Sequence, residues 1–132
     1  MGRSFHLACV TASGRLFAAY LPEDTVLAAL EEEHAYEQRH ALTATGILPT
    51  LEKNFRSILE QVRQNGISDA VNLSVSGVSA LAAPVFDESG KIVLSLTAIG
   101  PSALFDVGLN GGIATTLKAL GKDLSQRLGY RL

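Results

Sequence analysis

The sequence predicts an α+β fold, with helices flanking an antiparallel sheet. Three observations carry that prediction. Two apolar runs, Val78–Phe86 and residues 92–99, are separated by Asp87-Glu88-Ser89-Gly90 and bounded by Gly77 and by Gly100-Pro101. Such runs around a cluster of turn residues mark a buried β-hairpin. Upstream, Leu51, Phe55, Ile58, Leu59 and Val62 recur at helical spacing, and downstream Ile113, Leu117, Leu120, Leu124 and Leu128 do the same.

Composition narrows the class. The 132 residues are 47% apolar and 18% charged, enough for one domain with its own core. Formal net charge is −2, and the 11 Lys and Arg residues are scattered, so no basic patch marks a nucleic-acid surface. A single cysteine, Cys9, excludes an intramolecular disulfide and makes a reducing cytoplasm the expected compartment. No apolar run reaches membrane-spanning length, so no membrane partner is expected.

In chain order, Thr11 and Ser13 are candidate N-caps for a short helix carrying Leu16, Phe17, Tyr20 and Leu21. Gly14 at its start would let a ligand or another backbone approach. Pro22-Glu23-Asp24 opens a second helix, with Val26, Leu27 and Leu30 inward and Glu31-Glu32-Glu33 on a solvated face. Residues 34–46 read as a loop with some helical character. The helix after Pro49-Thr50 ends at Asn65-Gly66, a left-handed cap. Val71, Leu73 and Val75 alternate with polar residues and suggest a half-buried strand or extended loop. After the hairpin and a loop over residues 102–110, the last helix is closed by Gly129.

The two hairpin faces differ. With an even loop over residues 87–90, Val85 faces Ile92, Ala83 faces Leu94 and Leu81 faces Leu96, a bulky face suited to the last helix. The other face pairs Val78 with Ile99, Ala80 with Thr97 and Ala82 with Ser95. Small side chains and two hydroxyls there leave either a ligand pocket or a surface covered by another helix or loop.

Signals for chemistry are weak. His6, His34 and His40 show no metal-ligand spacing. Cys9 sits in an apolar context and reads as a small buried hydrophobe. Ser79 lacks the second glycine of a nucleophile elbow. The glycines 108, 111 and 112 precede a helix and could offer amides to an anion, but without a P-loop lysine they read as a flexible connection. No catalytic constellation, metal site or cofactor motif is expected.

The run Gly77-Val78…Ala82-Ala83-Pro84-Val85-Phe86-Asp87…Gly90…Val93-Leu94-Ser95-Leu96…Gly100-Pro101 resembles the C-terminal effector-binding domain of IclR-family bacterial transcriptional regulators. The opening Gly2-Arg3-Ser4-Phe5…Thr11-Ala12-Ser13-Gly14-Arg15 and the ending Leu124-Ser125…Leu128-Gly129-Tyr130 are similar in the same order. The resemblance implies a GAF-like fold that binds a small organic effector and associates as a dimer or tetramer. It also implies that residues 1–132 are a partial effector domain lacking its first strands, with DNA bound only through an absent N-terminal helix-turn-helix. Carried over position by position, it places ligand contacts at Ala12, Ser13, Ala70, Val78, Ala80, Thr97 and Ile99. Ala70 and Ile99 depart from the family's acidic and hydroxyl positions, so the effector is expected to be less polar than a small oxo-acid. A sensor module of GAF or PAS type attached to another output domain is the alternative reading.

Overall fold

A hydroxyl at the right place starts the first helix. Thr11 Oγ1 accepts from the Gly14 amide at 2.9 Å, capping α1 (Ala12–Tyr20). Leu21, restricted by the proline that follows, turns extended and ends it. The computed structural model describes residues 11–26, 28, 47–72 and 76–131. His6, Cys9, Leu27, Leu30, Glu31-Glu32-Glu33, His34, His40, Leu73 and Val75 lie outside that set.

Residues 23–26 are helical, with Val26 buried. The long helix α2 (Ile47–Asn65) buries Phe55, Leu59 and Val62 on one stripe. Gly66 ends it at φ +69, its amide reaching the Val62 carbonyl. Arg63 donates through Nη1 to the Ala19 carbonyl at 2.8 Å, tying α2 to the C-terminal end of α1, where a cation is favoured.

Strands β1 (Ser68–Val71), β2 (Val78–Phe86) and β3 (Ile92–Pro101) form an antiparallel sheet in the order β1-β2-β3. Helix α1 covers one face, with α2 packed against α1, and Ala70, Ala82 and Ile92 join Leu16, Phe55 and Leu59 in one cluster. The last helix, α3 (Gly112–Arg127), covers the other, where Ile67, Leu81 and Ala83 meet Ala114 and Leu117. The α+β expectation and the pairing of the last helix with the Leu81 face both hold.

Three details differ from the sequence reading. The hairpin register lies two residues away: Ala80 pairs with Ile99, Ala82 with Thr97 and Val85 with Leu94. The loop has five residues, closed by the Asp87 amide on the Lys91 carbonyl, with Gly90 at φ +82. A bulge then inserts Val93, because Phe86 already pairs with Ile92. The two single-residue shifts preserve face parity along most of the hairpin, but the bulge turns Ile92 over to the α1 side. Leu94 is left 52% exposed rather than under α3.

The second difference is β1, which buries Ser68 and Ala70 and exposes Val71, the reverse of the expected alternation. The third is α3. Its deeply buried positions are Ala114, Leu117, Gly121 and Ser125, while Leu120 and Leu128 are exposed. Small residues win there because the helix lies almost against the β2 backbone. Ser125 Oγ accepts the Phe86 amide at 2.9 Å and donates to the Gly121 carbonyl at 2.7 Å, satisfying an amide beside the bulge.

The ring of Phe86 contacts Tyr20 edge-on and Tyr130 at a tilt, both at 5.1 Å between centroids, joining α1, the hairpin and the C-terminal turn. Burial pushes the Tyr20 phenol above its ordinary value, against the opposing pull of Arg63.

At the hairpin tip, Asp87 accepts from the Ser89 hydroxyl at 2.6 Å and from the Ser89 and Lys91 amides. The Ser89 hydroxyl is the largest cause holding the carboxyl below its ordinary 3.8, followed by the Lys91 amide. Ser89→Ala is expected to move the Asp87 titration back toward that value in an NMR pH series. A depressed folded value stabilises above the unfolded pKa, and the contribution fades as pH falls through the folded one. The variant should therefore narrow the acid range over which the tip stays ordered.

Candidate functional site

The sheet face toward α1 is built in cross-strand rows. Ala70, Ala80 and Ile99 form one row, and Ser68, Ala82 and Thr97 form the next. Over these rows lies the start of α1, which packs across all three strands. Its cap fixes the direction of Ser13, whose hydroxyl bonds the Thr97 hydroxyl at 2.9 Å and approaches that of Ser95 at 3.4 Å. Ser95 and Thr97 are themselves 3.1 Å apart, closing a hydroxyl triangle.

The seven predicted positions fall into three groups. Ala12 and Ala70 are buried in the same core cluster, with the half-buried Ala80 packed against it. Ser13 and Thr97 are brought into direct contact. Ile99 completes the alanine row but is 70% exposed, and Val78, half-buried, sits at the end of β2 opposite Pro101. The small-residue face is thus partly covered by α1 and partly open along β3.

Three further polar groups belong to this region. Ser95 was legible from its alternation with Thr97, though it was absent from the carried-over contacts. Arg15, which the sequence analysis gave no role, is buried and donates through Nη1 to the Asp69 carbonyl at 3.2 Å. Ser68 Oγ, in the row with Thr97, is buried without a hydrogen-bond partner among the described residues. The surface thus carries hydroxyls at one end and methyl groups at the other. Among the described residues no group of His, Cys, Asp and Glu side chains could hold a metal ion.

The glycine-rich segment before α3 is already served by the chain itself. Asp106 Oδ1 accepts from the Gly108 amide at 2.9 Å, and its carboxylate lies against Gly111, the N-cap. An internal carboxylate thus lies beside this helix start, without a side-chain cap bond to it.

Comparison with known proteins fits this architecture. The profile of the family described as "Bacterial transcriptional regulator IclR C-terminal" matches residues 1–126. The chain belongs to that family. This IclR C-terminal domain is 26% identical over 122 residues to the HTH-type transcriptional regulator KdgR of Escherichia coli K12, a match covering 91% of the chain and 43% of KdgR. The structure of Pseudomonas aeruginosa HmgR is similar with 33% identity and a TM-score of 0.74, over 91% of this chain and 44% of that one. The C-terminal domain of E. coli KdgR shares the fold at a TM-score of 0.70 and 22% identity, over 94% of this chain and 71% of that structure. The chain thus spans less than half the length of KdgR. No helix among the described residues is long and apolar enough to cross a membrane.

Proposed function

We propose that this IclR C-terminal domain binds a small organic effector and self-associates, and that effector binding modulates DNA binding by a longer regulator in the bacterial cytoplasm. The contact between Ser13 and Thr97 beside the alanine row carries the reading. It joins the start of a helix to an outer strand, so a ligand competing for either hydroxyl would change how α1 sits on the sheet. An effector with different affinities for two quaternary arrangements then shifts their populations. DNA would be held by a helix-turn-helix part outside these residues, because the charge here is too evenly spread to bind it. No catalytic step is assigned to the domain.

The proposed contacts are Ala12, Ser13, Ala70, Val78, Ala80, Thr97 and Ile99, with Ser95 added from the hydroxyl triangle. Four alanine and aliphatic positions along the strands favour a ligand less polar than a small oxo-acid, one end of which meets the hydroxyls. Calorimetric titration with a panel of aromatic acids, beside glyoxylate and pyruvate, tests this. The aromatic acids should bind, and Thr97→Val should weaken the best of them about tenfold, one hydrogen bond's worth. Tight oxo-acid binding would overturn the polarity assignment.

A further inference from the structure

Ser68 Oγ is buried, its residue 1% exposed, and makes no hydrogen bond among the described residues. Such a hydroxyl weakens the fold relative to an alanine in the same place, because its bonds to water are lost and nothing replaces them. The other buried serines among the described residues do not share the defect. Ser79 Oγ bonds Ser102 Oγ at 2.7 Å, and Ser125 Oγ bonds both the Phe86 amide and the Gly121 carbonyl. An unmatched buried hydroxyl calls for a partner.

Its position says which kind. Ser68 and Thr97 both pair with Ala82, one from each side, so the three form a single row on the face toward α1. The two outer residues are about 10 Å apart, twice the distance between neighbouring strands. Between the two hydroxyl ends the floor is made of the methyl groups of Ala70, Ala80 and Ala82. A planar ring with a polar substituent at each end matches such a floor, a hydrogen bond of about 2.8 Å closing the gap at either side.

The ends differ in what they accept. At Thr97 the hydroxyls of Ser13, Ser95 and Thr97 converge, and the bonds among them that involve Thr97 are exposed. A carboxylate there meets several donors and keeps part of its hydration. At Ser68 a single hydroxyl lies among buried residues, where an ionised group would be costly. The charged end of a ligand therefore belongs at Thr97 and a neutral hydroxyl at Ser68.

We infer that Ser68 is the inner polar contact of the effector, and that the effector is an aromatic acid carrying a hydroxyl opposite its carboxylate. The inference rests on the effector binding just proposed and deepens it with a contact on β1. Ala70 and Ala82, the neighbours of Ser68 on that face, pack with Ala12 and Leu16, so the ring reaches Ser68 only as the start of α1 lifts. The distal hydroxyl then selects the raised position of α1. An acid without it binds at the Thr97 end and leaves the helix seated.

Calorimetric titration with benzoate and 4-hydroxybenzoate, on the parent chain and on Ser68→Ala, tests the contact. The hydroxylated acid is expected to bind the parent about tenfold more tightly than benzoate, the contribution of one hydrogen bond. Ser68→Ala should erase that difference, weakening 4-hydroxybenzoate and leaving benzoate unchanged, with an unfolding midpoint no lower than the parent's. A serine that serves only the fold cannot produce a loss confined to one of two acids. Equal binding of the two acids to the parent, or a difference that survives in Ser68→Ala, overturns the role of Ser68 and leaves effector binding at Ser13 and Thr97 standing. Binding of neither acid, or binding indifferent to Thr97→Val, overturns both.

Discussion

Gly121→Val is expected to destabilise the domain by about 4 kcal/mol, a large part of the 5–15 kcal/mol that holds a typical domain together. Even a single Cβ at this position would lie 2.7 Å from the Pro84 carbonyl oxygen and 3.6 Å from Ala83 Cβ. The obstacle is backbone, which cannot rotate away as a side-chain end could. Replacing glycine recovers up to about 1 kcal/mol of helix propensity, but overpacking costs roughly 1–3 kcal/mol. A second loss follows from the first. If α3 lifts from β2, Ser125 Oγ withdraws from the Phe86 amide and leaves a buried donor unmatched, at roughly 1–3 kcal/mol. Urea denaturation of Gly121→Val beside Leu120→Ala separates contact from helix content, because Leu120 is 51% exposed and its truncation should cost little. Equal stability of Gly121→Val and the parent would show that α3 does not approach as closely as the structure has it.

That close approach also explains why α3 was only partly legible in the sequence. A leucine stripe is the ordinary sign of a buried helix face, and Leu117 does lie in the core. Yet the line of closest contact runs through Ala114, Gly121 and Ser125, residues with little hydrophobic signal. What buries them is the proximity of a strand backbone, a tertiary fact that periodicity does not encode. Strand β1 fails for a similar reason. Val71 outranks Ser68 in hydrophobicity, but the pairing of β1 with Ala80 and Ala82 sends Ser68 and Ala70 toward α1.

The hairpin was legible in its parity and not in its register. Alternation of large and small residues fixed which side chains share a face, because strand side chains repeat every second residue. Register depends on loop length and bulges, and Lys91 gives no sign that it closes a five-residue loop. The two added residues, one in the loop and one in the bulge, leave Thr97 and Ile99 on the face predicted for them. The candidate site was readable to that extent: Ser13, Ala70, Ala80 and Thr97 do come to one surface. The burial of Arg15 was not readable, because a partner, the Asp69 carbonyl, is a backbone group 54 positions away.

Leu16→Ala should cost about 2–5 kcal/mol and weaken effector binding as well, whereas Ser13→Ala should weaken binding at a stability cost of about 1 kcal/mol or less. Leu16 is fully buried, in the cluster that holds α1 against Phe55, Leu59 and Ala82. Its truncation leaves a cavity under the helix whose start carries the proposed site. The loss of packing is therefore transmitted to Ser13 through the pitch of α1, and the 2.9 Å contact with Thr97 is the first to lengthen. Ser13→Ala removes one partner of an exposed hydroxyl pair while leaving the helix docked and its Thr11 cap intact. Thermal denaturation and calorimetry on both variants make the separation: a position that acts through packing moves both readings, and one that acts through contact moves chiefly the second. If Leu16→Ala lowered stability yet bound the effector as well as the parent, the docking of α1 would be irrelevant to the site. The coupling of ligand to helix position, on which the proposed regulation depends, would then fail with it.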